Sequence, residues 1–238
     1  MKQTKKNMKN RFKDLEKNIG VEFKDETILE TALTHRSYLN EHRDIPENNE
    51  RLEFLGDAVL ELIVSDFLFH TYPDRPEGDL TSFRSALVRT DSLAHSARDL
   101  EVGKYLRMSK GEEDSGGRDK DYLLANTFEA ILGAIYLDHG YSTCQEFISK
   151  VLFPKIEQIV EYRLDIDSKT RMQELSQSVF KLTPTYEVIK EEGPDHNKIF
   201  TVVVKLEDKV VGTGQGSSKQ RAEEQAAIEG IEYIKNIE

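Results

Sequence analysis

The chain of 238 residues has one cysteine, no tryptophan and no long hydrophobic run. The single thiol, Cys144, cannot form an intrachain disulfide and lacks the second thiol of a cysteine-based zinc site, which fits a reducing compartment. No apolar stretch approaches the roughly 20 residues that cross a bilayer. The lysine-rich N-terminus also lacks the apolar segment of a secretory signal. These absences predict a cytoplasmic protein that has no membrane partner.

Basic residues are also in deficit, because 33 Lys and Arg stand against 44 Asp and Glu and give a formal net charge of −11. Nucleic-acid binding relies on Lys and Arg to neutralise phosphates, so the overall charge argues against such a partner. Hydrophobic residues at 37% and charged residues at 32% are typical of a folded globular protein. The length exceeds what one core usually fills, and two domains are expected.

The hydrophobic period changes along the chain. Residues 25–165 show apolar i, i+3, i+4 patterns almost throughout, which predicts an all-α domain. The period is lost in a charged stretch near residues 162–168. Beyond it we expect a helix at 170–180, strands at 185–189, 199–206 and 210–216, and a helix at 217–234. The predicted fold is therefore multidomain: an all-α domain over residues 8–162, a linker at 163–167, and a small α-β-β-β-α (α+β) domain over residues 168–238.

The helix predicted at residues 48–64 places three acids on one face, because Glu50, Glu53 and Asp57 fall at i, i+3 and i+7. Apolar side chains cover most of its remaining circumference, so the helix is expected to be largely enclosed. These are Leu52, Phe54, Leu55, Ala58, Val59 and Leu60. Clustered carboxylates repel one another and are costly to desolvate, which calls for compensating cations or protons. The alternative is an ordinary solvated acidic strip, which the apolar surround disfavours.

A second helix, at residues 121–138, repeats this design with Asn126 and Glu129 among apolar residues. Packed face to face, the two helices would form an oxygen-only cluster suited to Mg²⁺ or Mn²⁺. No histidine or cysteine joins the pattern, which argues against zinc.

Four strings in this region closely resemble hallmarks of the ribonuclease III family. They are ALTHRSY at 32–38, NNERLEFLGDAVL at 48–60, GEEDSGGR at 111–118 and ANTFEAILGAIYLD at 125–138. The α-β-β-β-α order, with GTGQGSSKQRAEEQAA leading into its last helix, resembles a double-stranded RNA-binding domain. Together the two resemblances cover nearly the whole chain.

The first resemblance implies an endoribonuclease that hydrolyses phosphodiester bonds of double-stranded RNA, in ribosomal and other RNA processing, as a homodimer. It implies Mg²⁺ as the cofactor, with Mn²⁺ as a possible substitute. By the same resemblance Glu53, Asp57, Asn126 and Glu129 occupy metal-ligand positions, with Asp57 and Glu129 catalytic and Glu50 a supporting acid. Phe54 would lie at the dimer interface.

Asn126 departs from the family pattern, which usually has Asp at this position. An amide keeps a coordinating oxygen but loses the charge, so weaker metal binding is expected. This leaves open a catalytically impaired double-stranded RNA-binding protein. A third alternative is a purely structural dimeric domain that binds no RNA.

The second resemblance gives a set of RNA-binding candidates. The N-terminus of the last helix offers free N–H groups and partial positive charge to phosphate. The first helix would meet ribose hydroxyls in the minor groove, and the loop at 193–198 would be a second minor-groove probe. The candidates are Thr170, Gln173, Glu174, Pro194, His196, Ser218, Lys219 and Arg221. Ten basic against fourteen acidic residues from 165 to 238 weaken this prediction and keep a generic α/β interaction domain as the alternative.

Two residues of the first domain have two interpretations each. His35 is a conceivable general base, but a histidine that supports helix packing through hydrogen bonds is favoured. Arg84 lies in a helix that looks structural, although its side chain could face phosphate.

Overall fold

The computed structural model describes residues 12–162, 167–194 and 198–237. The chain divides into two compact units, Met1–Asp165 and Ile166–Glu238, and each is described by itself. The fold class is confirmed: a helical unit precedes a small unit with one three-stranded sheet. The limits set for the domains and linker, which fall partly outside the described residues, stay a prediction. Within the described residues no helix is long and apolar enough to cross a membrane.

The described part of the first unit contains nine α-helices, joined by loops and short 3-10 turns. They are α1 (Lys13–Ile19), α2 (Glu26–Ala32), α3 (Glu50–Thr71), α4 (Glu77–Val88), α5 (Thr90–Asp99), α6 (Lys110–Asp114), α7 (Asp121–His139), α8 (Tyr141–Val151) and α9 (Ile156–Tyr162). The 3-10 turns are Arg36–Asn40, Val102–Tyr105, Gly117–Asp119 and Phe153–Lys155.

Helix α7 is the central element of this unit and packs against α3 and α5. Apolar residues on nearly every side of it are buried, including Leu124, Phe128, Ile131 and Ile135. Each large apolar side chain removed from water contributes roughly 1.5–3 kcal/mol. The acids on α7 are therefore held in place by a core that leaves the helix little freedom to move.

Two glycines set how closely α3 and α7 approach. A Cβ atom at Gly56 would lie 1.8 Å from the backbone oxygen of Glu129, and one at Gly133 would lie 2.2 Å from that of Leu52. No side chain larger than hydrogen fits either position unless the helices separate. This backbone contact brings the acidic face of α3 beside Asn126 and Glu129.

The prediction that α3 is largely enclosed was wrong for the single chain. Its inner side is buried through Leu60, Ile63 and Val64, but its outer side is open to solvent. On that outer side Phe54 is 80% exposed, Leu62 58% and Phe69 67%, and Ala58 is exposed as well. Sequence periodicity counts apolar positions but does not tell which of them meet the chain's own core.

The second unit has the predicted order: α10 (Ser168–Val179), β1 (Thr185–Glu192), β2 (Ile199–Leu206), β3 (Lys209–Gly216) and α11 (Lys219–Lys235). The strands are antiparallel in the order β1-β2-β3. Gly212 and Gly214 let α11 lie directly on β3, since a Cβ at Gly214 would approach the backbone oxygen of Ala222 to 2.2 Å. Met172 of α10 joins the core between the helices and the sheet.

Candidate active site and nucleic-acid interface

The acids predicted from the sequence meet at the crossing of α3 and α7. The side chain of Asn126 lies close to the carboxylate of Glu53 and stabilises its charged form. The carboxylates of Glu53 and Asp57 act electrostatically on Glu129. Glu50 lies at the exposed edge of the group, where its carboxylate is 3.6 Å from the guanidinium of Arg36. The fold thus brings both helices' polar residues into one group.

Electrostatics within the group are unfavourable when no cation is present. Burial, followed by repulsion from Asp57 and Glu53, raises the pKa of Glu129 to about 7. Burial and the charge of Glu50 raise the pKa of Glu53, although the nearby amide of Asn126 lowers it in part. Carboxyls that are partly buried beside other carboxylates are costly to ionise, and the group would gain from a bound cation.

The donor set consists of carboxylate and amide oxygens, which suits a hard divalent ion such as Mg²⁺. Within residues 12–162, 167–194 and 198–237, however, no three His, Cys, Asp or Glu side chains already converge as a metal-binding group. The donors fit the ion in chemistry, and their side chains would have to turn inward to surround it.

A cleft of about 700 Å³ opens beside this group. Its lining includes Glu50, Glu53 and Asn126 of the acidic group together with His35 and Glu112. Asp57 and Glu129 are not among the residues that line this cleft. The lining is therefore acidic, although the most strongly perturbed carboxyl, that of Glu129, does not belong to it.

Glu112 is a cleft residue to which sequence reasoning gave no role. It lies in the short helix α6, where the Oγ atom of Ser109 accepts a hydrogen bond from its backbone N–H at 3.3 Å. The ammonium of Lys120 donates to its carboxylate at 2.7 Å, which lowers the pKa of Glu112. The signal available in the sequence was an acid within the string GEEDSGGR at residues 111–118.

His35 and Arg84 both make structural contacts. His35 Nδ1 lies 2.8 Å from the hydroxyl of Ser37 and accepts from its backbone N–H at the start of the 3-10 turn. Burial lowers the pKa of His35, which favours its neutral ring. Arg84 pairs with Glu61 at 3.0 Å and donates to Ser65 at 2.8 Å, and so it ties α4 to α3. These contacts support the structural interpretation of both residues.

On the second unit, the three candidates in α10 share one exposed face. Thr170, Gln173 and Glu174 lie at i, i+3 and i+4, and Gln177 extends this face by another turn. Asp167 caps the helix, since its carboxylate accepts from the backbone N–H of Thr170 at 3.2 Å and from its hydroxyl.

The candidates in α11 lie at its first turn, where Ser218 Oγ accepts from the backbone N–H of Arg221 at 3.2 Å. Ser218, Lys219 and Arg221 are all exposed. This helix start lies at the end of the antiparallel sheet where β1 ends, β2 begins and β3 ends. Pro194 is exposed beyond the end of β1, whereas the predicted contact at His196 lies outside the described residues.

Comparison with known proteins agrees with both units. Residues 25–156 match the family described as ribonuclease-III-like, and residues 168–234 match the double-stranded RNA binding motif. The chain is 48% identical over 219 residues to Ribonuclease 3 of Streptococcus pneumoniae strain P1031, which covers 92% of this chain and 94% of the relative. It is 49% identical over 214 residues to Ribonuclease 3 of Streptococcus gordonii strain Challis, covering 90% and 92% respectively.

A solved structure, the nuclease domain of ribonuclease III from Campylobacter jejuni, superimposes with a TM-score of 0.57 at 42% identity. The match covers 60% of this chain and 99% of that domain, whose region involved in dimer formation is described as structurally flexible.

Fold, acidic group and attached module together define a nuclease that has a separate unit for binding double-stranded RNA. The chain belongs to the ribonuclease III family and is an enzyme of that kind, an endoribonuclease directed at double-stranded RNA.

Proposed function

We propose that the chain hydrolyses double-stranded RNA with Mg²⁺ held by the acidic group at the α3–α7 crossing, and that it does so as a homodimer. The observation that carries the proposal is the set of perturbed carboxyls there, above all Glu129, whose pKa is raised to about 7. Strongly perturbed acids beside a cleft are typical of functional sites. Mn²⁺ is expected to substitute, because it accepts the same oxygen ligands. A cytoplasmic location belongs to the same proposal and is supported by the lone cysteine.

The residues that would hold the ion are Glu53, Asp57, Glu129 and Asn126. The Asn126 amide can contribute its carbonyl oxygen to the ion and leave its nitrogen free to interact with Glu53, so the two roles are compatible. Bound there, Mg²⁺ would activate water for in-line attack on phosphorus and stabilise the departing 3′ oxygen.

Within this proposal, Asp57 and Glu129 are the acids closest to the chemistry. Glu129 must give up its proton before it can act as a ligand, which makes metal binding depend on pH. Glu50 supports the group from its exposed edge, and its carboxylate is positioned by Arg36.

The homodimer is supported by the exposed side of α3. Phe54 projects from it, and next to Phe54 lies a cavity of about 680 Å³ whose apolar wall includes Ile28, Leu52, Leu55 and Leu137. In a two-fold dimer the same patch meets itself, so one copy's Phe54 would have an apolar cavity to enter on the other. The flexible dimer-forming region of the Campylobacter jejuni domain is in keeping with this arrangement.

The test is to incubate the purified chain with a long RNA duplex in Mg²⁺ and in EDTA. We expect cleavage in Mg²⁺ and none in EDTA, with 5′-phosphate and 3′-hydroxyl products. Binding without cleavage at any Mg²⁺ concentration would instead favour a double-stranded RNA-binding protein disabled by Asn126. Failure to bind duplex RNA at all would reject both functions.

A further inference from the structure

The lysine that starts α11 already has an anionic partner within its own unit. Lys219 Nζ lies 3.1 Å from the carboxylate of Glu191, near the end of β1. On its way there the side chain passes over the ring of Phe200, with the ammonium 5.6 Å from the ring centre.

Strand pairing fixes this arrangement. Glu191 is the register partner of Phe200 on β2, and Phe200 is in turn the partner of Gly216 at the end of β3, three residues before Lys219. Strands β1, β2 and β3 are thus hydrogen-bonded neighbours at this point. The register of the sheet therefore places Glu191 within the length of the Lys219 side chain.

Glu191 lies between basic groups on both sides. Its carboxylate is 3.9 Å from the ammonium of Lys198, the last residue of the loop at 193–198, and 3.1 Å from that of Lys219. An acid at this point lowers the positive potential at the end of the sheet that is proposed to face RNA. The second unit as a whole also has more acidic than basic residues.

We propose that Glu191 competes with RNA phosphate for Lys219 and thereby sets the affinity of the second unit for duplex RNA. The inference rests on the proposed contact between Lys219 and phosphate. To make that contact Lys219 must leave Glu191, and the released carboxylate then lies close to the RNA backbone. Both effects oppose binding. An exposed ion pair contributes little free energy, which corresponds here to a change of about three- to fivefold in the affinity for RNA.

The experiment measures binding of a duplex RNA to the full chain in EDTA, so that cleavage does not interfere. Glu191→Gln is expected to tighten binding about three- to fivefold at low salt, and the gain should shrink towards parity as salt screens exposed charges. The matched control is Glu192→Gln. It removes the same charge one residue away, from a carboxylate that pairs with Lys190 at 2.9 Å instead.

The pairing itself is tested by repeating Glu191→Gln in a Lys219→Met background. There the gain in RNA affinity should fall to less than half of the gain measured in the parent chain. The proposal is overturned if Glu191→Gln binds like the parent, if Glu192→Gln gains as much, or if the full gain persists without Lys219. If Lys219→Met binds as well as the parent, the proposed phosphate contact is wrong and this inference fails with it. A weakened Lys219→Met beside an unchanged Glu191→Gln rejects only the role of Glu191.

Discussion

The side-chain amide of Asn126 lies close to the carboxylate of Glu53 across the crossing of α3 and α7 and holds the pKa of Glu53 below the value that burial alone would give. An ionised aspartate at position 126 has no hydrogen to donate and would add a further negative charge to the group. Asn126 therefore lowers repulsion in the metal-free site at the cost of one ligand charge. The balance between these two effects determines what the usual aspartate would do here.

Asn126→Asp should lower the Mg²⁺ concentration needed for half-maximal cleavage, because a carboxylate binds this hard ion better than an amide oxygen. The measurement is initial cleavage rate against Mg²⁺ concentration for parent and variant. An unchanged metal dependence would show that position 126 is not a ligand. If only the variant cleaves, the parent is the impaired RNA-binding protein.

In EDTA, the stability of the first unit should depend on Glu129 in a definite direction. Its pKa is raised from 4.5 to about 7, so the folded state binds more protons than the unfolded state between these values. Stability therefore falls as pH rises through that window and is lowest above it. Glu129→Gln should be more stable than the parent by on the order of 1–3 kcal/mol at pH 8 and nearly equal below pH 4.5.

Denaturant unfolding in EDTA at acidic and alkaline pH measures this difference. A stability gain of equal size at both ends of the pH range would show that the carboxyl has the same pKa in the folded and unfolded states. The raised pKa of Glu129 would then be wrong.

If the chain forms the proposed homodimer, Phe54→Asp should convert it to monomers, because a charge placed in an apolar interface is left unpaired and costs several kcal/mol. Light scattering gives the mass directly. Ile228→Asp is the control, since Ile228 is an exposed apolar residue of the second unit and is 41% accessible. A folded Phe54→Asp dimer would mean that this residue packs elsewhere.

Lys219→Ala combined with Arg221→Ala should weaken duplex RNA binding and leave the cleavage products unchanged, because phosphate contacts position the RNA without touching the scissile bond. The dependence of log affinity on log salt should flatten by one to two units, on the order of one per lost contact. Lys209→Ala with Lys235→Ala removes equal charge from the opposite end of β3 and α11 and serves as the control. Equal slopes for parent and double variant would place Lys219 and Arg221 outside the interface.

The sequence predicted the helical and α-β-β-β-α units and the acids of the cluster, because periodicity and i, i+3 spacing are local properties. It did not predict that Asn126 lies close to Glu53, which depends on how closely Gly56 and Gly133 let two distant helices approach. Glu112 was missed for a similar reason, since only the fold brings its loop to the cleft.

Hydrophobic periodicity did not predict the exposed side of α3, because Phe54 and Leu62 are as hydrophobic as the core residues beside them, and only the resemblance placed Phe54 at an interface. Hydrophobicity shows that a residue prefers burial and does not show whether the chain itself or another copy provides it. The pairing of Lys219 with Glu191 likewise needed the strand register, which joins residues 28 positions apart.

The central claim, that the carboxylates at the α3–α7 crossing hold the metal for RNA hydrolysis, is tested most directly by Glu129→Gln. The measurement is cleavage of a long RNA duplex over a Mg²⁺ titration, paired with duplex binding in EDTA. The account predicts that cleavage is abolished at every Mg²⁺ concentration while binding stays nearly equal to that of the parent, because the RNA-binding unit is separate. A variant that cleaves at the parental rate with the parental Mg²⁺ dependence would contradict it.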